Sequence, residues 1–455
     1  MLMVSRIQHQ ESLPMSILAH LPQVLQTVFT TVADAAGHTA HFTKRPDLAK
    51  FTAQTWVQTV VFGWLAHPDA TLDQICQMAS RLGVEVSPQA LDQRFDARSA
   101  TCLEHVLHHA MTHLVATDPV SIPLLQRFAA VVVQDATTIT LPNDFAARWP
   151  SCGGRTATTP AAALKCGVQL DLLTGALRPL VLASGRTQDQ ALAWDPAPFL
   201  PTTLRIADLG FFNFDAFASL TAHGCYWLSR VRVNTILTDA EGRQWPLLAF
   251  VQQHLATGGE ASVRLGRIGL PGRVLVEPVP QEVVDQRRRR IRKEARDKGQ
   301  AVSAAALALA AWTIMITNVP AEQLSLAEAL VLLRARWQIE LLFKLWKSHG
   351  QLDQWRSQKS WRILCEVYAK LLAMLVQHWL LLVGCWTYPD RSLVKASRTI
   401  QAYAGELASA LHNRPQVEQV LRSIQRSLQH HARLNPRRSH PNTYQLLLTV
   451  PDTYV

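Results

Sequence analysis

Asp135 closes the apolar run FAAVVVQ and Asp208 closes the run TLRIA, so both carboxylates are expected directly after strands of one sheet. Strand ends of an open α/β sheet are where sites are built, and two carboxylates there can share a hard cation. Leu209-Gly210 lets the chain turn beside a ligand at Asp208. Asp171, Asp195 and Asp215 compete for the second position, although none ends a strand as cleanly.

A third carboxylate comes from the run SLAEALVLLRARWQIELLFKLWKSHG, which reads as one long helix. Ser325 with Glu328 three residues on is a capping box, and Gly350 is the expected stop. At about 100° per residue, Leu333, Arg336, Lys344 and Lys347 fall within about 40° of Glu340 around the axis. One face thus carries a carboxylate flanked by cations, while Trp337, Ile339, Leu341, Leu342 and Leu345 are suited to burial. The charged stripe reads as facing a site or a polyanion, or as an i,i+4 ladder from Arg336 through Glu340 to Lys344. Two aspartates and one glutamate would hold two divalent ions about 3.5–4 Å apart, activating a water or 3′-hydroxyl for in-line phosphoryl displacement. Arg336 and Lys347 would then hold DNA phosphates and offset transition-state charge.

The elements that must position these groups follow from the pattern. From Arg127, FAAVVVQDATTITLP, a strand pair around Thr174-Gly175, TLRIADLG, the helix FFNFDAFASLTAHG closed by Gly224 and CYWLSRVR give three strands, a connection, a fourth strand, a helix and a fifth strand. Short polar strands and turns follow in GRQWPLLAF and ASVRLGRIGLPGRVLVEPVP. Between Arg287 and Lys298, eight of twelve residues are Lys or Arg, read as a DNA-backbone contact through Arg288, Arg290, Arg292 and Lys293 or as a solvated face. Upstream, ATLDQICQMASRLGVEVSPQALDQRF resembles a helix-turn-helix, with Gln89, Gln93 and Arg94 as groove contacts or as parts of an ordinary helical hairpin. Beyond Pro389 the chain is helical, then basic and turn-rich in NPRRSHPN.

Composition bounds the partners. The chain has 455 residues, 45 Lys plus Arg against 34 Asp plus Glu, and a net charge of +11, which favours nucleic acid first and an anionic membrane second. A hydrophobic fraction of 48% with 17% charged residues excludes a disordered chain. Seven scattered cysteines without a Cys-x-x-Cys pair point to a reducing compartment rather than a disulfide framework, and His108-His109 and His430-His431 lack a third ligand, so no zinc site is expected. The opening MLMVSRIQHQESLPM has no long apolar core of a secretory signal, and the cytoplasm is the expected location. Leu371 to Tyr388 is long and apolar enough to cross a membrane, but Gln377 and His378 break it, so a buried helix is expected.

The run RWQIELLFKLWK, with Arg336, three residues, Glu340, six residues and Lys347, resembles the YREK signature of bacterial DDE cut-and-paste transposases of insertion sequence family four. QDATTITLP resembles that family's first-aspartate strand, IADLGFFNFDAF its second-aspartate motif and WTIMITNVP the segment leading into the glutamate helix; the likeness spans roughly residues 125 to 380. The resemblance implies a ribonuclease-H-like α/β core with a β-rich insertion domain and flanking helical regions. The 132 positions between Asp208 and Glu340 leave room for such an insertion. Residues 1–125 are then an N-terminal helical, DNA-binding region, 126–232 and 311–390 the two parts of the core, 233–310 the insertion with its basic helix, and 391–455 a helical and basic tail.

By the same resemblance the triad is Asp135, Asp208 and Glu340 with two Mg²⁺, for which Mn²⁺ substitutes. The partners are double-stranded DNA, as terminal inverted repeats and as target, and a second copy of the chain in a synaptic complex, with no membrane and a bacterial, nucleoid-associated location. Trp312, 28 positions before Glu340, matches a tryptophan that pockets a flipped base in related enzymes, or is a core tryptophan at a strand end. One departure stands out: the signature tyrosine, in the spacing Y-x-x-R, is Leu333. The expected activity is cleavage and strand transfer. Its rivals are a metal-dependent nuclease of the same fold and a decayed, DNA-binding transposase.

Overall fold

The computed structural model describes residues 17–43, 49–153, 161–192, 199–434 and 443–449. MLMVSRIQHQESLPM, Asp195 and NPRRSHPN lie outside them. The chain forms two compact units. Within the described residues, a helical unit takes 17–119, 174–176 and 346–434, and a sheet unit takes 120–173, 177–345 and 443–449.

The helical unit is built around the helix Ser360–Gly384, buried from Ile363 to Gly384. It packs against the helices Ala53–Ala66, Ala97–Ala110 and Arg414–His431. This helix is long and apolar enough to cross a membrane, but all of its apolar stretch is covered by protein. The residues that break the run have partners inside. Gln377 accepts a hydrogen bond from the Ser397 hydroxyl at 2.7 Å, and His378 Nε2 meets the Gly175 carbonyl at 2.7 Å. Burial pushes the His378 pKa down to about 4, so the ring is neutral and its Nε2–H is the donor.

The segment resembling a helix-turn-helix forms helices Leu72–Arg81, with a Thr71 capping box, and Pro88–Asp92, joined through Gly83 at φ +77°. The second helix has five residues. Gln89 and Gln93 are exposed, while the Arg94 guanidinium stacks over Phe42 at 5.6 Å instead of projecting freely.

The sheet unit contains β1 (Val131–Leu141), β2 (Ala162–Asp171), β3 (Leu177–Ser184), β4 (Leu204–Ala207), β5 (Tyr226–Arg230), β6 (Ile236–Thr238), β7 (Gln244–Pro246), β8 (Gly259–Leu265), β9 (Leu270–Pro278) and β10 (Trp312–Thr317). They join in one mixed sheet in the order β3-β2-β1-β4-β5-β10-β9-β8-β6-β7. β1/β4 and β4/β5 are parallel and every other pair is antiparallel. The helix Phe214–Ala222 makes the β4-to-β5 crossover, capped by the Asn213 side chain on the Asp215 and Ala216 N–H groups. The three strands, fourth strand, helix and fifth strand expected from the pattern are all present.

Three local expectations are corrected. β1 does not end at Asp135 but runs on to Leu141, because β2 pairs with it antiparallel over that whole stretch. The LLAFVQQH stretch is a helix, Leu247–His254, whose Leu247, Phe250 and Val251 recur at helical spacing and are buried. The long glutamate helix is two segments, Leu326–Ala335 and Trp337–Lys344, followed by a π-type turn over Leu345–His349.

Glu328 fixes where that helix starts. Its carboxylate accepts from the Ser325 N–H at 2.8 Å, closing the capping box, and pairs with Arg127 at 2.9 Å, just before β1. Arg127 also donates to the Gln323 carbonyl at 3.1 Å, and Gln323 returns a bond to the Arg127 carbonyl at 3.1 Å. The start of β1 and the start of the helix are thereby tied together. Glu328→Ala is expected to cost about 3 kcal/mol by leaving Arg127 without its carboxylate, and Ser325→Ala about 1 kcal/mol, in urea unfolding followed by circular dichroism.

Candidate active site

The parallel ladder between β1 and β4 ends at the pair Gln134 and Ala207. The next residue on each strand is an aspartate, so Asp135 and Asp208 leave the ladder side by side, on strands about 4.8 Å apart. Asp208 then becomes the N-cap of a single 3₁₀ turn, Leu209–Phe211. A Cβ on Gly210 would lie 2.8 Å from Asp189 Oδ2, so any larger residue would push the Asp189 carboxylate aside. Asp189 is held in turn by Lys165 of β2 at 2.9 Å. This clamp under the Asp208 turn is invisible in the sequence, since its partners are 24 residues apart and carry no motif.

The segment Trp337–Lys344 packs against β1 and brings Glu340 to the aspartates. Arg336 Nη2 lies 2.5 Å from Glu340 Oε1, and Arg336 Nη1 lies 3.7 Å from Asp135 Oδ2. One guanidinium therefore bridges the strand carboxylate and the helix carboxylate. Asp135 Oδ1 also accepts from the Ala136 N–H at 2.8 Å. Burial pushes the Asp135 carboxyl up to about 6, helped by the nearby charges of Asp208 and Glu340 and opposed by the Ala136 N–H and Arg336. Asp208 and Glu340 thus lie near enough to act on Asp135, though less than burial does.

The apolar face of the helix contributes Leu332, Leu333, Ile339, Leu342 and Leu345 to the core. Leu333, at the signature tyrosine position, is 9% exposed. Trp337 and Leu341 depart from expectation, at 53% and 37% exposed: the helix needs only one side for β1, and their positions face away. Lys344 is exposed, whereas Lys347 belongs to the helical unit, where it meets Asp353 at 3.8 Å.

The rival aspartates have other places. Asp171 is buried and its Oδ1 accepts from the N–H groups of Val131 and Leu173, a structural task. Asp215 is exposed in the first turn of the helix Phe214–Ala222. Trp312 opens β10 half-buried, packs on the core and donates its indole N–H to the Ala256 carbonyl at 3.0 Å.

In the basic helix Gln281–Asp297, Arg288 donates to the Leu307 carbonyl at 3.0 Å, while Arg292 and Lys293 are exposed. Arg290 pairs with Glu294 at 2.7 Å, and its pKa is raised first by Glu294 and further by the charge of Asp208. The helix thus lies within electrostatic reach of the carboxylates. Arg287, absent from the sequence-derived set, is tied inward to the Trp312 carbonyl at 2.9 Å and the Thr313 hydroxyl at 2.9 Å.

Residues 126–376 match the family model of the transposase DDE domain. The transposase for insertion sequence element IS231B of Bacillus thuringiensis subsp. berliner is 25% identical over 342 residues, 70% of this chain and 70% of that protein. The transposase for insertion sequence element IS231F of Bacillus thuringiensis subsp. israelensis is 25% identical over 417 residues, 84% of this chain and 86% of that protein. The transposase for insertion sequence element IS1151 of Clostridium perfringens is 25% identical over 319 residues, 64% and 66% of the two chains. The chain belongs to the DDE transposase family of insertion sequences, and its mixed sheet with many helices fits such a domain. It is a transposase, an enzyme that acts on DNA, and its family uses a divalent metal.

The residues present suit such a metal in chemistry, offering three hard carboxylate donors in a place where burial and mutual repulsion call for positive charge. Among the described residues no three His, Cys, Asp or Glu side chains stand as a finished ligand set, and the positive charge is supplied by Arg336.

The raised pKa has a consequence for stability. Asp135 binds its proton more tightly in the fold, at about 6, than at the ordinary 3.8, so its ionisation weakens the fold progressively as pH rises from about 4 to 6 and by a constant amount above. Asp135→Asn should therefore stabilise the metal-free protein at pH 8 by roughly 1–3 kcal/mol and leave it nearly unchanged at pH 4, read from urea midpoints at the two pH values.

Proposed function

We propose that this transposase binds the terminal inverted repeats of its own element, pairs two ends as a homodimer, and cleaves and joins strands at Asp135, Asp208 and Glu340. The observation that carries this reading is the emergence of two aspartates side by side from adjacent parallel strands, with Glu340 brought to them by a helix packed on β1. These three carboxylates would hold two Mg²⁺, or Mn²⁺ in their place, and Arg336 would then be released from them to a DNA phosphate. The bound ions would supply activation of a water or 3′-hydroxyl and stabilisation of the leaving oxygen.

The chain's own residues do the positioning. The Gly210 turn and the Lys165–Asp189 pair hold Asp208, while the Arg127–Glu328 pair sets the helix that carries Glu340. Arg288, Arg290, Arg292 and Lys293, with Lys344 and Lys347, would lie along the DNA backbone, and Trp312 beside a flipped base. In this reading 126–232 and 311–390 form a ribonuclease-H-like core, 233–310 its insertion, 1–125 a DNA-binding region and 391–455 a tail. The signature spacing of Arg336, Glu340 and Lys347 supports insertion sequence family four. The protein would work in the bacterial cytoplasm at the nucleoid.

The test is incubation with DNA carrying the element's ends, in Mg²⁺, Mn²⁺ or EDTA, beside Glu340→Gln. Cuts at the element boundary that need metal, fall at least 100-fold in Glu340→Gln and yield joined products are expected. Cutting without joining would mark a nuclease, and binding without cutting a decayed DNA-binding protein. Either result would overturn the strand-transfer reading.

A further inference from the structure

On the face of the sheet opposite Asp135 and Asp208, register places a polar row. Arg178 of β3 pairs with Gln169 of β2, Gln169 with Gln134 of β1, and Arg205 of β4 stands beside Val132, two residues from Gln134 on the same face. Arg205 is 6% exposed and Gln134 fully buried. Arg205 Nε donates to Gln134 Oε1, but Arg205 Nη1 and Gln134 Nε2 are buried donors without a partner, as is Arg178 Nε. Burial alone lowers the Arg205 pKa, to about 10, with no carboxylate contributing. The guanidinium is still charged at neutral pH, and a charge so placed is costly unless an opposite one meets it.

Next to Arg205 lies a cavity of about 100 Å³ between the sheet and the helix Phe214–Ala222. Gln169, Gln190, Asn213 and Ser219 supply its polar wall, and Leu192, Phe199, Phe211 and Leu220 its apolar one. Arg178 stacks over Phe199, one of the lining residues, at 4.8 Å. The unmet Arg205 donor, its buried charge and a space of this size beside it call for an acceptor-only ligand with negative charge.

We propose that this cavity binds a small oxyanion, a phosphate or a small carboxylate, on Arg205, with the Gln169 amide in the same wall. Gln134 immediately precedes Asp135, and Arg205 lies three residues before Asp208, so the bound anion tightens the same strand pair that carries the aspartates.

The test is thermal unfolding of the full chain at constant ionic strength in chloride, with inorganic phosphate, sulfate or acetate exchanged in. Phosphate or acetate is expected to raise Tm by about 2 °C or more at saturation, and the more effective anion identifies the source. Arg205→Met should abolish the rise. Gln169→Glu, which places a carboxylate in the same cavity, should raise Tm without added anion and remove the response. It keeps the proposal testable should Arg205→Met not fold. The exposed pair Arg292→Ala with Lys293→Ala should respond as the native chain does. The proposal fails if no oxyanion beats chloride, if Gln169→Glu responds like the native chain, or if the response follows Arg292 and Lys293 instead of Arg205.

Discussion

The gathering of three carboxylates about one half-buried spot is the constraint around which the sheet unit is arranged. Asp135 and Asp208 emerge from adjacent parallel strands and Glu340 approaches from a helix, so negative charge accumulates at a half-buried spot where water screens it poorly. A fold would not gather these groups for stability alone. Arg336 offsets the repulsion from within the same helix that delivers Glu340, bridging it to Asp135. One guanidinium is therefore the counter-charge to both a strand carboxylate and a helix carboxylate.

Holding such a site requires supports that do not themselves take part. The Arg127–Glu328 pair fixes the beginning of β1 to the beginning of the helix, and the capping box makes the same glutamate define the first turn. Lys165 and Asp189 brace the Asp208 turn, with Gly210 packed against the Asp189 carboxylate. Asp171, an aspartate of the neighbouring strand, is consumed by backbone N–H groups instead of adding a fourth charge. The opposite face of the same strands carries buried positive charge at Arg205, so β1 and β4 separate unlike charges across the thickness of one sheet.

Much of this was legible in the chain. Apolar and β-branched runs gave the succession of strands along the chain up to β5, the Ser325 and Glu328 spacing gave the helix start, and the Arg336, Glu340 and Lys347 spacing pointed to a DDE transposase. These are local signals, set by propensity, capping and helical period, and they survive without knowledge of neighbours. Where the reading slipped, the missing information was a neighbour. The extension of β1 past Asp135 depends on β2, and the exposure of Trp337 and Leu341 depends on which side of the helix β1 covers.

Tertiary structure alone decided the rest. The adjacency of Asp135 and Asp208 depends on the parallel register of β1 with β4, across 73 positions of sequence, and register is a property of two strands, never of one. The Arg127–Glu328 and Lys165–Asp189 pairs, and the unmet donors of Arg205 and Gln134, arise only when distant segments share a buried face. Sequence determined which residues could carry charge and which elements would hold them; packing determined which charges meet, because desolvation and repulsion act through distance in space.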